Sequence, residues 1–184
     1  MSSSQNILGQ LLDLLLKSFS SRTSRTPHAE EPGRSAASVR ADEPGRMRGR
    51  ETVRIDPDGI RGLKVEYSPS RDGAPDSGEV IWTWVPYEEN DGRGKDRPVL
   101  VIGRESADRV YAVRMTSKPH DRDRDYLSIG SGGWDSQGRE SWVDIEQLYS
   151  VHESGMRREA AVLDHGRYDR VAEALVRRYG WARR

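Results

Sequence analysis

The chain has 184 residues, a third of them charged, with one Phe and no Cys. That composition suits one globular domain plus a good deal of solvated chain, and it excludes a disulfide framework, a thiolate nucleophile and a cysteine zinc cage. Lys+Arg and Asp+Glu both number 30, which argues against a uniformly basic nucleic-acid coat and leaves room for a local basic groove.

In chain order, residues 7–19 read as a short amphipathic helix, with Ile7, Leu8, Leu11, Leu12, Leu15 and Phe19 at helical spacing and Gln10, Asp13 and Lys17 opposite. Its polar face lacks a Lys/Arg cluster, so a protein surface suits it better than a membrane. No apolar run approaches the roughly 20 residues of a spanning helix, and residues 1–19 lack the basic start and cleavage site of a secretory signal. The cytoplasm is the expected compartment. Residues 20–50, rich in Ser, Arg, Pro, Gly and Glu, cannot bury enough surface to offset their ordering entropy and read as a disordered linker. Residues 51–77 carry two alternating pieces around Asp56-Pro57-Asp58-Gly59, read as either edge strands or an extended arm.

The compact domain is expected from Gly78 to Arg184. Alternating β-branched and aromatic runs predict strands at 79–86, 98–104, 109–117, 126–129 and 141–145. A turn of helix is expected at 146–149 and a further short piece at 156–162. Asp164 caps a predicted helix that runs to about Arg178 with Gly180 as its stop. Many short strands and one C-terminal helix describe a small β-barrel.

Two residues stand out. Arg97 precedes Pro98, which restricts it to an extended conformation at a strand's start, and Thr116 closes the third strand beside Ser117 and Lys118. If the second and third strands pair antiparallel, both residues share one edge of the sheet. An arginine fork with a neighbouring hydroxyl suits a phosphodiester, and RNA brings its own nucleophile in the 2′-OH, so neither metal nor cofactor is required. The competing reading pairs Arg97 with a carboxylate of the preceding loop, Glu88, Glu89 or Asp91, as a purely structural ion pair.

The ordered set Gly78-Glu79-Val80-Ile81-Trp82, Lys95-Asp96-Arg97-Pro98-Val99-Leu100-Val101-Ile102, Val113-Arg114-Met115-Thr116-Ser117 and Ser141-Trp142-Val143-Asp144-Ile145-Glu146-Gln147-Leu148 resembles the MazF/PemK family. These are toxins of type II toxin–antitoxin modules. The resemblance implies a mainly β fold with a C-terminal helix, an SH3-like small barrel of the MazF/PemK/CcdB kind. It further implies a homodimer, cleavage of single-stranded RNA without a metal, and a cognate antitoxin partner. By the family pattern Arg97 and Thr116 are catalytic, with Ser117 assisting. Lys95, Lys118, Tyr87, Arg93 and Trp134 are the candidate substrate-binding residues, the last three on loops able to stack or hydrogen-bond unpaired bases. The family's loop glutamate falls here on Gly92 or Asp91, and His120 is a substitute by sequence proximity. A non-catalytic SH3-like binding module is the alternative from another class, and a gyrase-poisoning toxin on the same barrel a third.

Overall fold

The computed structural model describes residues 46–70, 74–89 and 91–184, apart from the side chains of residues 158–160. The expected helix at 7–19, and the expected linker as far as residue 45, lie outside the described residues. Nine strands and one helix follow: β1 (Val53–Ile55), β2 (Lys64–Val65), β3 (Glu79–Pro86), β4 (Gly94–Arg104), β5 (Arg109–Thr116), β6 (Tyr126–Gly130), β7 (Ser141–His152), β8 (Met156–Val162), α1 (His165–Tyr179) and β9 (Ala182–Arg183). The fold is mainly β with a C-terminal helix.

The main sheet is antiparallel in the order β1-β7-β5-β4-β3-β8, with β6 joining β7. The free edge of β7 is divided, its first residues pairing with β6 and Leu148 to Ser150 with β1. Alternation sorts the strand residues into two cores. Val80, Leu100, Ile102, Val113 and Met115 join α1 in the larger cluster, while Ile81, Val85, Val99, Val101, Val110 and Ala112 form a second one on the other face. Because both faces are covered, β4 reads as an unbroken apolar run, as buried strands do.

Irregular register within four of the strand pairs bends the sheet. The bending brings Thr52, just before β1, within 2.9 Å of the Thr83 hydroxyl on β3. Among the described residues no ladder joins β1 to β8. The sheet of the described residues is therefore curled and not closed into a barrel, while the expected mainly β fold with a C-terminal helix is present.

Helix α1 forms as its sequence dictates. The Asp164 carboxylate accepts from the Arg167 N–H at 3.2 Å, and Gly180, at φ 68, takes the left-handed cap conformation. Tyr168, Val171, Ala172 and Leu175 are buried against the larger core. Residues before Gly78 contribute too: Leu63 and Val65 are buried there, β1 extends the main sheet, and β2 pairs in parallel with β9.

The expected strand at 141–145 continues to His152, and no helical turn forms at 146–149. Leu148 packs in the larger core while Tyr149 and Val151 pack in the other. Ladder partners on both sides, β5 and β1, hold this stretch extended.

Candidate active site

The site forms where the β4–β5 ladder stops. Strand β4 pairs with β3 from Gly94 onward, but its pairing with β5 begins only at Val99, opposite Arg114. Pro98 explains the offset. It has no N–H to give, so a second neighbour is tolerated only beyond it. Lys95, Asp96 and Arg97 thus have β3 on one side and open space on the other. Continuing the Val99–Arg114 register by two residues puts Arg97 opposite Thr116.

In that space lies a cavity of about 150 Å³ lined by Lys95, Arg97, Thr116, Ser117 and Trp134, together with Trp82, Asp96, Asp135 and Arg139. Five of the eight residues singled out in the sequence therefore meet. Tyr87, Arg93 and Lys118 are not among its lining side chains. Tyr87 borders a larger, more open depression of about 800 Å³ shared with Arg54, Glu88 and Arg178. Arg93 turns back on its own loop, donating from Nε to Asp91 at 2.6 Å. Lys118 contributes through its backbone, whose N–H donates to Thr116 Oγ1 at 3.1 Å. His120 stacks on Tyr126, with ring centroids 3.6 Å apart, and does not line the cavity.

The alternative ion pair of Arg97 with a carboxylate of the preceding loop does not form among the described residues. Glu88 accepts from Gln147 Nε2 at 2.7 Å and stands 3.8 Å from Arg114, and Asp91 holds Arg93. The half-buried Arg97 side chain makes no hydrogen bond or ion pair with any described residue. Arg114, two residues before Thr116, shows the contrast. It donates to Asp144 at 2.6 Å and to the Tyr126 hydroxyl at 3.1 Å. Burial works to lower the Arg114 pKa, but the charge of Asp144 and the bonds to it leave the guanidinium above its ordinary value.

The two carboxylates of the cavity are engaged as well. Asp96 pairs with Arg157, and Asp135 accepts from Arg139 Nε at 2.8 Å. The Arg139 bond, with one from the Gln137 N–H, holds the Asp135 carboxyl below the usual carboxylate range. Among the described residues Lys95 and Arg97 remain as uncompensated cations beside the Thr116 and Ser117 hydroxyls, an arrangement that attracts a phosphate.

Trp134, a candidate for base recognition on the Gly-rich loop, is only 4% exposed and donates from Nε1 to Ser141 Oγ at 3.0 Å. Its ring fits because residue 132 is glycine: a Cβ there would stand 2.2 Å from Trp134 Cζ3. Gly132→Ala is accordingly expected to displace the ring and lower stability by about 1–3 kcal/mol. Thermal denaturation checks this, and an unchanged midpoint would contradict the packing described.

Sequence reasoning missed Trp82, Asp135 and Arg139. Only the four-residue spacing of Asp135 and Arg139, within the run Trp134-Asp135-Ser136-Gln137-Gly138-Arg139, offered a signal for the pair. Among the described residues, no group of three or more His, Asp or Glu is placed to hold a metal ion, and no helix is long and apolar enough to cross a membrane.

Residues 76–178 match the family described as PemK-like, MazF-like toxin of type II toxin–antitoxin system. Among solved structures, an endoribonuclease in complex with its cognate antitoxin from a mycobacterial species is 16% identical, covers 58% of this chain and 96% of its own, and has a TM-score of 0.45. MazE–MazF (Form-II) from Deinococcus radiodurans is 17% identical over 58% of this chain and 96% of its own, at 0.45. MazF (Form-I) from the same organism is 17% identical over 58% and 97%, at 0.46. Among curated proteins, none matches by sequence.

Proposed function

The chain belongs to the PemK-like, MazF-like toxins of type II toxin–antitoxin systems, and from that premise we propose that it is an endoribonuclease that cuts single-stranded RNA without a metal. The observation that carries the reading is the Arg97 side chain, which pairs with no described residue, in a cavity shared with Thr116 and Ser117. An arginine held half-buried without a carboxylate is an unfilled anion site.

In this reading Arg97 binds the non-bridging oxygens of the scissile phosphate, with Lys95 adding charge at the rim. The Lys118 N–H occupies one lone pair of Thr116 Oγ1, so the hydroxyl proton is directed elsewhere and donates to the same phosphate, with Ser117 beside it. The 2′-OH attacks phosphorus, the O2′–P bond forms, and the P–O5′ bond breaks to leave a 2′,3′-cyclic phosphate. Because Arg157 and Arg139 hold the cavity's carboxylates, Asp96 and Asp135, the 2′-OH proton passes to water, and water gives a proton to the departing O5′. Arg97 and Thr116 stabilise the charge that builds on phosphorus oxygens between these events. The toxin acts as a homodimer in the cytoplasm, and a cognate antitoxin protein restrains it.

Incubating the protein with a long single-stranded RNA in the presence of a chelator, then mapping the cut ends, tests the proposal. Reproducible cuts at a short motif support it. RNA bound but left intact would instead identify a non-catalytic binding module. Thr116→Val keeps the side-chain volume and removes the hydroxyl. It is expected to slow cleavage by roughly 10²-fold, and cutting at the full rate would remove Thr116 from the mechanism.

A further inference from the structure

The cavity at Arg97 does not end at its far wall. Trp82, Trp134, Asp135 and Arg139 also line a second hollow of about 310 Å³, completed by Gly133, Ser136 and Arg157. The two spaces therefore adjoin across Trp82 and Arg139.

The chemistry of the second hollow differs from that of the first. Its distinctive side chains are a half-buried indole and two guanidiniums, Arg139 and Arg157, each 54% exposed. The Arg157 Cζ lies 6.0 Å from the Trp82 ring centroid, across the ladder position that pairs these two residues. Asp96 holds Arg157 and Asp135 holds Arg139, so both cations are fixed at the hollow instead of sweeping through solvent. The wall that Asp135 belongs to is itself braced. Its N–H donates to Gly132 O at 3.2 Å, its carbonyl accepts from Gly138, and its carboxylate accepts from Gln137. The indole Nε1 of Trp82 is buried and has no hydrogen-bond partner among the described residues.

We propose that this hollow is a second nucleotide subsite, which takes the unpaired base next to the scissile phosphate, laid against Trp82 and covered by Arg157, with Arg139 on the phosphate between the two spaces. The proposal rests on the reading of the first cavity as a phosphodiester site. A flat aromatic face beside a fixed guanidinium is what a nucleobase, whose only universal feature is its π-face, uses for affinity. Adjoining a phosphate-type cavity places that base one step along the same strand. Selection at that position then comes from the shape of the hollow and the loop edge at Gly133 and Ser136.

The test uses the full chain and a single-stranded 2′-O-methyl oligonucleotide of about twelve nucleotides, which has no free 2′-OH and cannot be cut. Replacing one nucleotide at a time by an abasic residue and measuring binding by fluorescence anisotropy reads base contacts without reference to cleavage. One position is expected at which loss of the base weakens binding about tenfold, and at that position the loss shrinks in both Arg157→Ala and Trp82→Leu. Arg157 is exposed, so its variant keeps the comparison valid should Trp82→Leu fail to fold. A flat scan, no measurable binding, or an abasic penalty equal in wild type and Arg157→Ala overturns the subsite. A chain that cuts no RNA yet shows the Arg157-dependent position keeps the subsite and loses the nuclease.

Discussion

Arg97→Ala is expected to reduce RNA cleavage by roughly 10³-fold, the scale on which removal of a charge-stabilising arginine is felt in phosphoryl transfer, while the melting temperature stays within a degree or two. The two halves of this expectation have one cause. The guanidinium bonds to no described residue, so truncating it breaks nothing in the folded protein. In the transition state it is the group that meets the charge on the phosphorus oxygens. Arg97→Lys separates charge from geometry: an ammonium restores attraction but not the bidentate fork, so a partial recovery is expected. Cleavage by Arg97→Ala at the wild-type rate would sink the proposed mechanism. A large drop in melting temperature would show instead that Arg97 supports the fold.

The second large effect lies two residues before Thr116, in a pair built on opposite terms. Asp144 is 2% exposed at its side chain, and its oxygen sits 2.6 Å from Arg114. Removing one member strands the other, which typically costs about 3–5 kcal/mol. For Arg114→Met the lower end is expected, since Asp144 retains a bond from the Glu146 N–H at 3.1 Å. Chemical denaturation of Arg114→Met should therefore show about 3 kcal/mol of lost stability. The double variant Arg114→Met with Asp144→Leu should recover most of it, because neither charge is then buried without its partner. Equal stability of the single and double variants would mean that the pair contributes through shape alone.

These two arginines also show what a sequence can and cannot tell. Strand β3 is legible to the residue because Ile81, Thr83 and Val85 alternate strictly with Trp82, Trp84 and Pro86. Helix α1 is legible because its two caps are local chemistry. The approach of Arg97 to Thr116 follows from one assumption, that neighbouring strands pair antiparallel. Pro98 marks Arg97 locally, but nothing local tells that Arg114 is ion-paired and Arg97 is not. One is free and the other bound because Asp144 arrives from β7, and that is a property of the sheet.

The misses have similar causes. β4 begins at Gly94 and not at Pro98, because the Trp84 ring lies against Gly94, where a Cβ would come within 2.4 Å of it. Gly-Lys-Asp has no strand propensity of its own. β7 outruns its expected end because residues buried on both faces lose the alternation by which a strand is read. Asp135 and Arg139 enter the cavity through a turn whose fold is set by the buried Trp134 beneath it, a contact that spacing does not reveal.

Pro98 has a consequence for how the protein can evolve. The strand tip before it hangs from one neighbour only, while the stretch after it is held on both sides and packed in two cores. Changes at residues 95 and 96 therefore alter what the cavity accepts without reaching the groups that keep the sheet together. With Arg97 kept for the chemistry, a single imino acid divides β4 into a tip that can vary with its target and a stretch that must stay as it is.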